Sequence, residues 1–215
     1  LHPTEGYMVL PNMTDIPAGV YHYLSHDHVL EQRGLFDVTN AETLQTVLST
    51  NRFLLGLTSI PWREAWKYGE RAFRYCQHDI GHAIATIRYA AATLGWTVQL
   101  LDNWVDAEII ITLGLEQDKD FNCTEREVPE VMLCIDTEIP SNIPKSKAGT
   151  LKQRSEYLSG NLIVPVISGV TWTGQANVLD PHHDYEWPII DTVLEATIQS
   201  SPIKESPWIA PPLPP

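Results

Sequence analysis

His78 and His82 stand four apart in the run His78-Asp79-Ile80-Gly81-His82. On a helix that spacing puts both imidazoles on one face, as a zinc hydrolase requires of its first two ligands. Such a centre also needs a third ligand and a carboxylate base. Asp79 is shorter than the Glu of that motif, and Gly81 is unusual inside such a helix. The competing reading is one histidine facing solvent and one packed with a hydrogen bond. His26-Asp27-His28 and His182-His183-Asp184 fall in turn-like segments, where neighbouring side chains diverge, and read as surface turns. Neither a phosphate-cradling glycine loop nor a Gly-x-Ser-x-Gly elbow occurs. No metal site is assigned.

A denser concentration of chemistry lies between Trp62 and Tyr75. Lys67, Tyr68, Arg71 and Arg74 are interleaved with Trp66, Phe73 and Tyr75. Lys67, Arg71 and Arg74 form a positive spot on a chain whose formal net charge is −13. Such a spot can hold a phosphate or an anionic reduced flavin. A lysine beside a tyrosine lowers the cost of moving a proton. The plainer alternative is a charged helix surface over a buried Trp and Tyr.

The elements that must position these residues follow from periodicity. Phe73, Cys76, Ile80, Ala83, Ile84, Ile87, Ala90, Ala91 and Leu94 step by three and four, which predicts a helix of about six turns stopped at Gly95. Gly81, Ala83, Ala85 and Ala90 to Ala92 would let a second helix approach closely. This helix is expected at the domain centre or at a dimer seam. Strands are expected at Tyr7–Leu10, at Val20–Leu24 with Val29–Gln32 (an edge hairpin), at Phe53–Thr58, where Gly56 implies a close neighbour, at Val128–Ile135, and at Leu162–Val170. Pro129 implies an edge or strand-start position. Shorter helices are expected at Ala41–Leu48, capped by Thr39 or Asn40, at Asp106–Leu113, capped by Asp106 and stopped by Gly114, and within Trp187–Gln199. Ile139–Gly149 reads as loop. Strands and helices mix without βαβ alternation. The fold class is therefore α+β, with a mixed or antiparallel sheet packed around one long central helix.

The apolar fraction of 43% over 215 residues fits one globular core. The acidity opposes binding to phosphate backbones, so no nucleic acid partner is expected. No apolar stretch is long enough for a membrane helix, and no membrane association is expected. Cys76, Cys123 and Cys134 are too few and too far apart for a disulfide framework. Cys76 and Cys134 read as buried thiols, and a cytoplasmic setting follows most simply. The opening Leu1-His2-Pro3-Thr4 has no signal-peptide pattern.

The run Trp66-Lys67-Tyr68-Gly69-Glu70-Arg71-Ala72-Phe73-Arg74-Tyr75, then Asp79-x-Gly81-His82-Ala83, then Ala90-Ala91-x-x-Leu94-Gly95-Trp96 resembles the nitroreductase-like dehydrogenases of the SagB and McbC type, which act in thiazole/oxazole peptide modification. Leu1-His2-Pro3-Thr4-Glu5-x-Tyr7, the Val20-Tyr21-His22-Tyr23 hairpin and the Asp106–Leu115 helix fit the same family. The likeness spans about residues 1 to 135. It implies a nitroreductase-like FMN fold working as a homodimer or with a second nitroreductase-like domain, on a small-molecule or peptide substrate. It implies catalytic roles for Lys67 and Tyr68 in azoline oxidation, and places His2, Pro3, Arg71, Leu101 and Asp102 at the cofactor. The family's Arg-Arg-Ser-x-Arg phosphate motif and its C-terminal basic pair are not found. The expected organisation is a nitroreductase-like domain at 1–138 lacking its N-terminal part, a connecting segment at 139–200 leading to a second domain or partner, and a Pro-rich linker at 201–215. A contrasting expectation is a flavin-free pseudo-enzyme half that completes its partner's site.

Overall fold

In the computed structural model, residues 2–117, 119, 126–138, 158–176 and 185–202 are described. Among the described residues, seven strands form one sheet: β1 (Thr4–Leu10), β2 (Gly19–Leu24), β3 (Val29–Leu35), β4 (Arg52–Ser59), β5 (Thr97–Leu100), β6 (Val128–Asp136) and β7 (Thr171–Trp172). Their order is β5-β6-β4-β1-β2-β3-β7, and every pairing is antiparallel. The helices are α1 (Val38–Leu48), α2 (Pro61–Tyr68), α3 (Ala72–Thr93), α4 (Asp106–Leu113), α5 (Gly160–Ile167) and α6 (Pro188–Ala196).

The alternation of strand side chains divides the sheet into two unlike faces. On one face, Tyr7, Val9, Val20, Leu54, Met132 and Cys134 meet Leu44 and Leu48 of α1, Ile109 and Leu113 of α4, and Ile163, Val166 and Ile167 of α5. This is the principal core, and each fully buried leucine in it contributes about 1.5–3 kcal/mol. Gly56 does have its close neighbour: a Cβ there would stand 2.6 Å from the Leu113 side chain.

The opposite face carries a row set by register, Met8 beside Leu55, Leu55 beside Leu133, and Leu133 beside Leu100. The long helix α3 lies along this side, with Phe53 of the sheet edge-on to Trp96 just past its end. Its end is a left-handed Gly95 at φ 76°, where Trp96 N–H reaches Ala91 O and Gly95 N–H reaches Ala92 O. Of its apolar stripe, Cys76, Ile80 and Ala91 are buried, whereas Leu94 is 55% exposed. The stripe is thus only partly covered by this chain's described residues.

Several local expectations are corrected. Leu162–Val170 is not a strand, because α5 occupies Gly160–Ile167 and presents Ile163, Val166 and Ile167 to the core at helical spacing. A short apolar run does not by itself separate the two states. Asp37, not Thr39 or Asn40, caps α1, its carboxylate accepting from Asn40 N–H at 2.7 Å. Val105 rather than Asp106 stands at the α4 cap, its N–H bonded to Glu108 at 3.0 Å. Pro129 does stand at a strand start, in β6, which is interior to the sheet. His78 and His82 are both exposed, rather than one of them packed. Edge strand β5 has no counterpart among the expected strands.

Residues 158–176 and 185–200, within the span expected to lead onward, pack on this same body. Trp104 Nε1 donates to Leu158 O at 2.8 Å, and Trp172 pairs beside Gly34. Asp106 N–H donates to Gln199 O at 3.1 Å, and Gln199 N–H returns a bond to the Asp106 carboxylate at 3.1 Å. No helix of the described residues is long and apolar enough to cross a membrane. Ile139–Gly149, Cys123, His182-His183-Asp184 and residues 203–215 lie outside the described residues.

Candidate active site

Helix α2 starts at Pro61, whose fixed φ suits a first helical position. It stops because Gly69 adopts φ 58°, ψ −137°, a region close to glycine-only. The turn Gly69–Arg71 then feeds α3. Lys67 and Tyr68 therefore occupy a sharp corner between two helices. The Tyr68 ring stacks on Tyr75 with centroids 4.3 Å apart, and Lys67 Nζ stands 5.2 Å from the Tyr68 ring centre. Lys67 and Arg71 are exposed, and Tyr68 is half-buried. From the other side, Trp187 closes on the corner: a Cβ at Gly69 would lie 3.1 Å from its ring.

The other end of α2 is bound to the start of β1. Ile60 N–H donates to Pro3 O at 2.7 Å, and Arg63 Nη1 donates to His2 O at 3.1 Å. The same Arg63 nitrogen pairs with the buried Glu5 carboxylate. Glu5 in turn takes His22 Nε2 at 2.8 Å, and His22 Nδ1 reaches Glu31 at 3.2 Å. Tyr7 stacks obliquely on His22 with centroids 4.9 Å apart and donates its hydroxyl to Glu127 at 2.8 Å. Thr58 Oγ1 also donates to Glu127, at 2.7 Å.

The electrostatics of this buried cluster are set by pairing. Burial alone raises the Glu5 pKa, but the hydrogen bond from His22 and the Arg63 charge outweigh it and hold the carboxyl below its ordinary value. Burial alone lowers His22, but the bond and charge of Glu5, with Glu31 and Glu127, hold it above its ordinary value. Burial pushes Glu127 up. The Cys76 thiol is pushed up to about 12 by burial and by the carboxylates of Glu130, Glu64 and Asp79. Cys76 is therefore an inert core thiol.

The residues expected at the site fall into three groups. Lys67, Tyr68 and Arg71 share the α2–α3 corner. His2 and Pro3 are tied to the opposite end of α2, His2 exposed and at φ 140°, Pro3 buried. Leu101 is buried in the principal core and bonds Met132 O through its N–H at 2.9 Å. Asp102 is exposed beyond β5, which is separated from β1 by two strands, β6 and β4.

Sequence reasoning assigned no role to Glu5, His22 and Arg63. Their signal is a charge on the apolar phase of a strand: Glu5 shares its phase with Tyr7 and Val9, and a buried charge there requires partners.

Two observations bear on whether these residues suit a flavin. Thr4 Oγ1 is buried with no hydrogen-bond partner, on the same phase of β1 as Gly6 and Met8, the phase facing the α3 side. A Cβ built on Gly6 would meet nothing within 4 Å, so open space lies over the sheet beside that hydroxyl. A flat heterocycle with carbonyl acceptors suits that space, and Lys67 and Arg71 offer charge for its anionic form. These residues fit one side of such a cofactor. Two clefts among the described residues, of about 420 and 580 Å³, are lined by neither Lys67 nor Tyr68 nor Thr4.

No family model matches the sequence. Over 120 residues, 54% of this chain, the sequence is 23% identical to a nitroreductase of Methanocaldococcus jannaschii, covering 61% of that protein. A nitroreductase crystal structure from Anabaena variabilis superposes with a TM-score of 0.52 at 19% identity, over 83% of this chain and 37% of the other. The chain has the nitroreductase fold. An Escherichia coli microcin synthetase McbBCD structure, solved with truncated pro-MccB17 bound, shares that fold at a TM-score of 0.50 and 20% identity, over 63% of this chain and 52% of the other. The chain spans between 37% and 61% of the length of these three proteins.

Proposed function

We propose that this chain is one half of an FMN-dependent oxidoreductase, completed across the α3 side by a second nitroreductase-like domain or a second copy. The observation that carries the reading is the Lys67–Tyr68 corner on a nitroreductase fold. The partly uncovered α3 stripe supports a completing half, since apolar side chains of that extent call for a partner surface. The substrate class we favour is an azoline ring in a peptide, supported by the fold shared with the microcin synthetase chain and by the resemblance of residues 66–96. Processing in the cytoplasm fits this reading.

Bound FMN would supply a two-electron acceptor for the hydride leaving a ring carbon. The chain's own residues handle the proton. Tyr68 Oη, acting as the phenolate, takes the proton from the neighbouring carbon and becomes the neutral phenol, so the ring loses one hydride and one proton and gains a double bond. Lys67, its Nζ 5.2 Å from the Tyr68 ring centre, favours the phenolate that accepts the proton. Stacking on Tyr75 holds the Tyr68 ring in one orientation. Arg71 and Lys67 favour negative charge at the same corner. Thr4 Oγ1 and the His2–Pro3 backbone would face the cofactor from the sheet.

The test is Lys67→Ala and Tyr68→Phe in the full-length protein loaded with FMN. Loss of turnover with flavin retained supports the assignment. Full turnover in both variants would remove both residues from the chemistry. A full-length protein that holds no flavin would instead favour a structural half that completes a partner's site.

A further inference from the structure

The elements expected at the cofactor are joined by a polar cluster to which no role has been given. Arg63 projects from α2, four residues before Lys67, and is only 6% exposed. One of its nitrogens, Nη1, binds the His2 carbonyl and the Glu5 carboxylate together. His22, 5% exposed on β2, clamps the other Glu5 oxygen. Glu5 is thereby gripped from two directions, by a helix and by a hairpin. Residue 2 is held at φ 140°, a conformation that non-glycine residues adopt only when their surroundings impose it.

We propose that Arg63 is a positioning residue which, through Glu5 and His22, locks the His2–Thr4 segment to α2, so that the Thr4 hydroxyl and the Lys67–Tyr68 corner meet a flavin as one rigid unit. The inference rests on the FMN reading above, and it assigns the cluster a job beyond stability. A fixed guanidinium suits that job, since one planar group orients two acceptors at once. His22 makes the lock sensitive to pH. The groups facing it are Glu5 and Tyr7 from β1, Glu31 from β3, Glu127 ahead of β6, and Arg63 of α2 across Glu5. Protonated, His22 donates to both Glu5 and Glu31. Deprotonated, it has one N–H for two carboxylates, and the hold on Glu5 slackens.

The experiment uses the full-length protein and compares wild type with Arg63→Met, Arg63→Lys and His22→Gln. Two quantities are read: FMN affinity by flavin fluorescence titration across pH, and hydrogen exchange of the Ile60 amide, which reports its bond to Pro3 O. Losing the positioning contact in Arg63→Met should weaken FMN binding about tenfold or more and speed Ile60 exchange. Lysine should restore part of both, because its ammonium can still bridge the two acceptors. Wild-type affinity should weaken as pH rises past the His22 titration, and His22→Gln should flatten that dependence. If Arg63→Met fails to fold, Arg63→Lys and His22→Gln still decide the matter at intermediate strength. FMN affinity and Ile60 exchange both unchanged in folded variants overturn the proposal. Destabilised variants with unchanged FMN affinity also overturn it, leaving a structural role. A wild type that binds no FMN defeats the FMN reading, and with it the cofactor part of this proposal. Ile60 exchange would then report the lock alone.

Discussion

Glu5 on β1 and Arg63 on α2 form an ion pair inside the protein, their side chains 8% and 7% exposed. It connects the first strand of the chain to the helix that ends in Lys67 and Tyr68. Removing one member leaves the other charged and dry, which typically costs about 3–5 kcal/mol. Arg63→Met should therefore lower the urea midpoint sharply, whereas exchanging both partners together for apolar residues of similar volume should recover much of the loss. Equilibrium unfolding of the single and double variants checks this.

The same cluster predicts the pH dependence of stability. His22 is held above its ordinary value of 6.5. Its contribution is therefore complete below that value and is lost as pH rises through the folded-state titration. Glu5 is held below its ordinary 4.5, so its contribution is present above that value and lost as pH falls through its lowered titration. The cluster is strongest between the two. Urea unfolding across pH should show wild-type stability declining on the alkaline side of His22, and His22→Gln should remove most of that decline.

Gly69→Ala tests the corner itself. The backbone there, at φ 58° and ψ −137°, costs an alanine about 1–3 kcal/mol, and the new Cβ would press on Trp187 at 3.1 Å. The melting temperature should fall, and turnover should fall with it because Lys67 and Tyr68 shift. Trp187→Ala should relieve the crowding without relieving the backbone, so the double variant should recover only part of the loss.

Leu94, 55% exposed near the end of α3, tests the completing half. Leu94→Asp should change the stability of this half by less than about 0.5 kcal/mol, as surface changes do. It should nevertheless reduce the content of bound FMN and shift the association state seen by sedimentation. Unchanged FMN and association would separate this helix face from the assembly.

The unequal legibility of the sequence has physical reasons. The six-turn helix and its stop at Gly95 were plain, because a 3.6-residue stripe and a left-handed glycine are local signals. Gly56 announced its neighbour for the same reason, since only a missing side chain admits Leu113 so closely. The hairpin about Ser25–His28 was legible from alternation. α5 was misread because a run of six apolar residues carries no period. Its helical state comes from docking Ile163, Val166 and Ile167 on the core. The corner residues Lys67 and Tyr68 stood out by type. The Glu5–His22–Arg63 cluster did not, because its members are 17 and 41 residues apart in the chain (5 to 22, 22 to 63) and meet only once β1, β2 and α2 are assembled.

The central claim is tested most directly by the visible absorbance spectrum of the intact full-length protein, purified with any polypeptide that accompanies it and read again after incubation with FMN and desalting. The account predicts oxidised-flavin bands that survive desalting and correspond to FMN once the protein is denatured and the released cofactor is analysed. A complete protein that stays colourless after incubation with FMN would contradict it, and would leave Lys67 and Tyr68 as residues of a structural corner.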